Sequence, residues 1–120
     1  MNNEPSFEKF DATIRLLAEA FHRWVLSEMA GKPWGRASLE ARYASDGSYW
    51  HDKMRVEVPG QEAVSLGTTQ EISRILSELN DLRRMFGWYS FKLDVGTDEK
   101  VTINYNYDPK SAEDPSFFAD

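Results

Sequence analysis

Large apolar residues recur every three or four positions in two stretches of the chain, which is the spacing of an amphipathic α-helix. The first stretch predicts a helix over residues 5–30. Pro5 suits the first turn of that helix, and Gly31 followed by Pro33 ends it. Its apolar stripe consists of Phe7, Phe10, Ile14, Leu17, Phe21, Trp24, Val25 and Met29.

The second helical stretch begins behind a capping box, Thr68-Thr69-Gln70-Glu71. In this motif a hydroxyl caps the first turn, and a carboxylate three residues later reaches back to the cap. Gly87 stands where such a helix commonly ends. We therefore predict a helix over residues 69–86, and its apolar face consists of Ile72, Ile75, Leu76, Leu79, Leu82, Met85 and Phe86.

Apolar and polar residues alternate one by one after the first helix, which is the period of a strand with one buried face. Residues 36–44 and 48–58 show this alternation on either side of Asp46-Gly47. An Asp-Gly pair between two alternating segments is typical of a hairpin turn. A short third strand is predicted within residues 61–67.

A second hairpin is predicted after the second helix, with strands over residues 88–96 and 100–108 and a polar tail over 109–120. The elements then follow the order α-β-β-(β)-α-β-β. Because each strand has one apolar face, the sheet needs helices on one side only. We therefore expect one α+β domain over residues 1–120, with an antiparallel sheet of four to five strands and two helices on one face.

The chain is acidic, since 20 Asp and Glu residues against 14 Lys and Arg residues give a net charge of −6. Nearly all of the excess lies between residues 94 and 120. A nucleic-acid backbone is repelled by such a surface, whereas a basic protein is attracted to it. We expect a basic protein partner and no direct contact with nucleic acid.

Cysteine is absent from the sequence, which excludes disulfides, zinc–thiolate sites and thiol nucleophiles. This composition fits the reducing cytoplasm. A membrane span needs about 18 consecutive apolar residues, and no stretch of the sequence reaches that length. The expectation is a cytoplasmic protein that contains no membrane segment.

Residues that could carry catalysis are few. His22 on the first helix has no second ligand one turn away. His51 precedes Asp52, but neighbouring residues of a strand point to opposite faces of the sheet. The sequence contains neither a Gly-x-Ser-x-Gly elbow nor a glycine-rich phosphate loop. No catalytic residue, metal ligand or cofactor is predicted.

Aromatic residues are numerous, with 4 Trp, 5 Tyr and 7 Phe, and some of them are candidates for a binding surface. Tyr49 and Trp88 fall out of phase with the buried positions of their strands, and Phe117 and Phe118 stand in a polar tail. They fit a partner contact. They equally fit a role within the chain, covering the sheet edge or docking on the chain's own sheet.

One pattern in the last third of the chain resembles a known family. Its residues are Leu76, Leu79, Leu82-Arg83 and Phe86, then Trp88, Phe91 and Leu93, then the strand from Val101 to Asp108 with Ile103, Tyr105 and Tyr107, and finally Asp114 and Phe117. The pattern is similar to that of the YezG-like antitoxins, the immunity proteins of bacterial polymorphic toxin systems. The first hairpin, with Asp46-Gly47-Ser48-Tyr49 as its turn, also fits.

The resemblance implies a protein that binds the C-terminal domain of a cognate toxin, commonly a nuclease, and blocks it. An acidic protein can occupy the basic site that holds a nuclease's phosphate substrate. We expect charge from Asp98, Glu99, Asp108, Glu113 and Asp114, and apolar anchors from Tyr107, Phe117, Trp88 and Tyr49. The chain is expected to be a monomer or a weak homodimer.

Two other functions remain open. A curved antiparallel sheet could form a cone with a polar pocket, as in small dehydratase or isomerase domains. His51, with Asp52 or Tyr43, would then be the catalytic candidates. Alternatively, the chain is an adaptor that dimerises through a sheet edge.

Overall fold

The computed structural model describes residues 7–83, 86–108 and 110, and within them the chain forms two helices and five strands. The elements are α1 (Phe7–Met29), β1 (Arg36–Tyr43), β2 (Trp50–Val56), β3 (Val64–Leu66), α2 (Gln70–Arg83), β4 (Ser90–Gly96) and β5 (Val101–Asn106). Each element lies inside its predicted range. The predicted α+β class and element order are confirmed, including the short third strand.

The strands form one antiparallel sheet in the order β3-β2-β1-β4-β5. β1 is the central strand, and its Ala37 pairs with Val56 of β2 on one side and with Val95 of β4 on the other. The chain therefore passes through α2 on its way from the first hairpin to the second. β3 and β5 are left as the two edges.

Alternate strand residues point into a single core under the helices. In β1 these residues are fully buried, and they are Ala37, Leu39, Ala41 and Tyr43. The helices contribute Leu17, Phe21 and Val25 from α1 and Ile72, Leu76 and Leu79 from α2. The apolar stripes of the helices and the alternating apolar residues of the strands therefore meet in one core, since every apolar face lies on the same side of the sheet.

The cap of α2 differs from the predicted capping box. Thr69, and not Thr68, caps the helix, because the Thr69 hydroxyl accepts a hydrogen bond from the Ile72 N–H at 3.1 Å. The helix begins one residue later than a Thr68 cap requires. Glu71 is then free to pair with Arg23 of α1, and both of its carboxylate oxygens lie 3.2 Å from the guanidinium. This pair joins the two helices at the surface.

Arg83 at the end of α2 is buried, with 4% of its surface exposed. Its guanidinium donates to the carbonyl oxygen of Ala44 at 2.6 Å, to that of Trp88 at 3.4 Å, and to Asn80 Oδ1 at 3.0 Å. The Asn80 amide donates in turn to the Gly47 carbonyl at 2.8 Å. These bonds tie the end of α2 to the β1–β2 turn and to the segment that leads into β4.

We predict that Arg83→Lys destabilises the fold by about 3 kcal/mol. A lysine ammonium cannot reach the three separated acceptors of the planar guanidinium, and buried acceptors without donors are destabilising. Urea unfolding followed by tryptophan fluorescence measures the change. Arg74→Lys, at an exposed position of the same helix, is the matched control and should change stability by less than about 0.5 kcal/mol. Equal midpoints for the two variants would contradict the prediction.

Candidate functional site

The face of the sheet opposite the helices, which we call the open face, carries polar and charged side chains. They occupy the positions between the buried residues of each strand, because side chains alternate across a strand. The charged members in the strands are Arg36, Glu40, Arg42, Lys53, Arg55, Lys92 and Asp94. Asn, Ser and Thr residues fill most of the remaining positions, so this face has no apolar patch of its own among the described strands.

The strand register aligns these side chains in rows across the sheet. Glu40 of β1 lies between Lys53 of β2 and Lys92 of β4. The Glu40 carboxylate also accepts hydrogen bonds from the Arg42 guanidinium at 3.0 and 3.1 Å. Opposite charges on directly facing residues stabilise a sheet. Glu40 is therefore enclosed by cations.

Asp94 lies in the adjacent row, between Ser38 of β1 and Thr102 of β5. Its Oδ1 is buried and has no hydrogen-bond partner among the described residues. An open concavity of about 590 Å³ adjoins it, and its lining consists of Gly35, Arg36, Asp94, Gly96, Thr97, Asp98, Lys100, Thr102 and Asn104. A buried acceptor without a donor is destabilising, and the residue that carries it is one of those that line this concavity.

Two of the predicted acidic residues, Asp98 and Glu99, form the tip of the β4–β5 turn. Asp98 Oδ1 accepts a hydrogen bond from the Lys100 N–H at 3.1 Å. A Cβ on Gly96 would come within 2.7 Å of the same oxygen, so a larger residue at that position would displace the Asp98 carboxylate. Glu99 adopts a left-handed backbone with φ of 67°. Both carboxylates are exposed beyond the last strand pair.

Asp108 lies at the opposite end of β5 from that turn. Its N–H donates to Asn106 Oδ1 at 2.8 Å, and its Oδ1 accepts from the Lys110 N–H at 3.0 Å. β5 has 6 residues, which span about 20 Å. The structure therefore separates the predicted acidic residues into two groups, one at each end of the edge strand. Glu113, Asp114 and Phe117 lie outside the described residues.

The predicted aromatic anchors have different outcomes. Tyr49 and Tyr107 are exposed, with 53% and 59% of their surfaces accessible. Both lie at the end of the sheet where Tyr43 pairs with Trp50 and Ser90 pairs with Asn106. The strands that carry them are three spacings apart, which amounts to about 14 Å. Asp108 lies at this end as well.

The prediction that Trp88 is a surface anchor is wrong. Trp88 is 1% exposed, and its ring lies 5.6 Å from the rings of Tyr43, Phe91 and Tyr105. Its out-of-phase position has a local cause. β4 begins only at Ser90, and Gly87 before it has a φ of 79°, so strand alternation does not extend to Trp88. Its Nε1 is buried without a hydrogen-bond partner among the described residues.

His51 and Asp52 point to opposite faces of the sheet, as strand alternation predicts. Asp52 shares its face with Trp50 and Met54, on the helix side. Burial raises the pKa of the Asp52 carboxyl, while the His51 charge and a hydrogen bond from Thr68 act in the other direction. The His22 ring packs 6.2 Å from that of Trp34. Among residues 7–83, 86–108 and 110, no three His, Asp or Glu side chains cluster as metal ligands would.

Neither of the two described helices is both long enough and apolar enough to span a membrane.

No protein-family model matches this chain, and no curated protein matches it. The similarity to YezG-like antitoxins thus rests on the residues quoted for it. The structure divides those residues by exposure. Trp88, Phe91 and Leu93 belong to the core, whereas Tyr107 and Asp108 are exposed.

Sequence reasoning missed the positive charge of the open face. The alternation of β1 and β2 already put Arg42, Lys53 and Arg55 on one side of their strands. What was missing was the strand order, because only the pairing of β1 with β4 brings Lys92 into the same row as Lys53. That pairing joins segments more than 50 residues apart, and no local pattern records it.

We predict that Trp88→Ala destabilises the protein by about 4 kcal/mol, since a buried indole leaves a large cavity when it is removed. Tyr107→Ala, at an exposed aromatic position of the same hairpin, should change stability by less than about 0.5 kcal/mol. Thermal and urea unfolding of both variants measure the difference. A small effect of Trp88→Ala would show that this indole is not part of the core.

We predict that Asp52→Asn stabilises the protein more at pH 7 than at pH 3. Burial raises the folded-state pKa of Asp52 above its ordinary 3.8, so ionisation opposes folding once the pH rises through that pKa. The asparagine oxygen still accepts the hydrogen bond from Thr68. Urea midpoints of wild type and variant at the two pH values measure the effect.

Asp46→Asn is the control of opposite sign for this measurement. Hydrogen bonds from the Ser48 hydroxyl and N–H lower the pKa of Asp46, so replacing Asp46 should destabilise the protein more at pH 7 than at pH 3. A gain from Asp52→Asn that is equal at both pH values would show that Asp52 is not desolvated in the fold.

Proposed function

We propose that this protein is an immunity protein, which binds the toxin domain of a bacterial polymorphic toxin system and neutralises it. The resemblance to YezG-like antitoxins supports this proposal, and the division of the matching residues supports it further. The buried ones, such as Trp88, hold the second hairpin against the helices. The exposed ones, Tyr107 and Asp108, lie at the surface just beyond the end of β5.

The observation that carries the proposal is the acidic β4–β5 turn. Inside the turn the Glu99 N–H donates to the Gly96 carbonyl at 3.0 Å, and the last backbone hydrogen bond between the two arms of the hairpin runs from the Gly96 N–H to the Lys100 carbonyl at 3.1 Å. Beyond it, Asp98 and Glu99 are exposed on a turn in which the Asp98 carboxylate accepts a hydrogen bond from the Lys100 N–H. A nuclease binds phosphate in a positively charged cleft. A narrow tip with two carboxylates has the charge and the shape to enter such a cleft, and we therefore propose a nuclease as the toxin.

Edge strand β5 supplies apolar contact area next to that tip. Val101 at its start is 47% exposed, and Tyr107 beyond its end is 59% exposed. Interfaces draw most of their binding energy from a few such side chains, with tyrosine among the most frequent. A partner seated along β5 meets acidic groups at both ends of the strand and apolar side chains between them.

Isothermal titration calorimetry against the toxin domain encoded by the neighbouring gene tests the proposal. The expected result is one-to-one binding with a dissociation constant below about 0.1 μM, together with rescue of growth when the two proteins are produced in the same cell. If the toxin domain neither binds nor loses its toxicity in the presence of this protein, the proposed function is wrong.

We predict that reversing both tip charges, in Asp98→Lys/Glu99→Lys, slows association with the toxin about tenfold at low salt. Exposed charges act mainly on the encounter rate, and salt screens them. Stopped-flow measurements at about 50 mM and 500 mM NaCl should show the effect shrink with salt. Glu78→Lys/Asp81→Lys, which reverses two exposed acids of α2, is the matched control and should leave the rate within about twofold.

A further inference from the structure

The charge of the open face is opposite to the charge of the whole chain. The chain carries a net charge of −6. On the open face, five cationic side chains stand against three carboxylates. They are Arg36, Arg42, Lys53, Arg55 and Lys92 against Glu40, Asp94 and Glu57, which follows β2 and lines a hollow with Arg36 and Arg55. A face of this sign repels the basic cleft that suits the β4–β5 turn, so it requires a partner surface of a different kind.

The helical side has the reverse balance. Its exposed acids are Glu8, Asp11, Glu19, Glu28, Glu71, Glu78 and Asp81, and its exposed bases are Lys9, Arg15, Arg23 and Arg74. Two of these bases are paired with acids, in the Arg23–Glu71 and Arg15–Asp11 salt bridges. The described residues therefore form a bipolar body, positive on the open face and negative on the helices.

The open face is large enough to form part of a protein interface. Five strands at about 4.8 Å and seven residues at about 3.3 Å give a rectangle of roughly 19 by 23 Å, or about 440 Å². This is roughly half of the 800 Å² that each partner buries in a specific complex, so the open face fits one of two contact areas on the same partner. The open concavity of about 590 Å³ beside Asp94 makes the open face deeper at one end.

The arrangement of charges favours an acidic protein surface over nucleic acid. Glu40 and Asp94 stand inside the cationic rows, and Asp94 Oδ1 has no donor among the described residues. A continuous phosphate backbone brings only acceptors and is repelled at both positions. A protein surface brings mixed groups, with carboxylates for the cations and donors for the acids among them, and such complementarity sets the register of a complex.

We infer that the open face binds an acidic surface of a protein partner. The identity of that partner rests on the proposed function. The acidic surface then belongs to the toxin domain and lies outside its phosphate-binding cleft. The toxin is then held at two places of opposite charge, by the β4–β5 turn in the basic cleft and by the open face beside it.

Charge reversal on the open face tests this inference on the complex. Arg55→Glu/Lys92→Glu changes two exposed residues and should weaken toxin binding by at least about 100-fold in calorimetry. The conservative pair Arg55→Lys/Lys92→Arg should retain binding within about threefold. Arg15→Glu/Arg74→Glu, on the helices, adds the same negative charge and should also stay within about threefold. Circular dichroism of each variant checks the fold.

A second experiment requires no toxin. Amide chemical shifts are recorded while the wild-type protein is titrated with a decaglutamate peptide and, separately, with a ten-nucleotide single-stranded DNA. We expect the peptide to shift amides of β1, β2 and β4, the DNA to shift them less at equal concentration, and Arg55→Glu/Lys92→Glu to abolish the peptide response.

The outcomes separate this inference from the proposed function. Absence of toxin binding by wild type refutes the proposed function, and the peptide titration then decides the inference alone. Toxin binding that is unchanged in Arg55→Glu/Lys92→Glu overturns the inference and leaves the proposed function standing. A peptide that leaves β1, β2 and β4 unaffected, in the absence of toxin binding, overturns it. DNA that binds the open face more tightly than the peptide overturns it as well.

Discussion

The burial of one guanidinium determines how the two halves of this chain meet. Arg83 is enclosed by carbonyl oxygens of Ala44 and Trp88 and by the rings of Tyr43 and Tyr89, which lie 5.4 and 5.8 Å from its central carbon. A buried charge is tolerated only when its donors are satisfied. The end of α2, the β1–β2 turn and the entry to β4 therefore have to converge on it, and this convergence sets β4 beside β1.

Tyr43 extends the same constraint to the helix. Burial raises its pKa far above the ordinary range of tyrosine, so the phenol stays neutral and its hydroxyl donates to the Leu76 carbonyl at 2.9 Å. The central strand is thereby fastened to α2 about two turns before Arg83. Because β1 sets the register of both neighbours, these two side chains also position the rows of charge on the opposite face.

Hydrophobic periodicity was sufficient to predict the elements and their order, because each strand and each helix has one apolar side and only that side packs in the core. It failed where structure depends on contacts or on a single backbone turn. Trp88 was misplaced because Gly87 redirects the chain before β4, and the α2 cap lies at Thr69 instead of Thr68, which leaves Glu71 to pair with Arg23. The acidic turn and the exposed tyrosines could be anticipated from composition. The positive face could not, since it exists only through pairing between distant strands.

A substitution on the open face has a different consequence from a substitution in the core. In β1, every residue that sets the fold points under the helices, and every residue between them points away. An exchange at Ser38, Arg55 or Lys92 changes the open face and leaves the packing under the helices intact. The pattern of charge on this surface can therefore change while the fold beneath it stays the same.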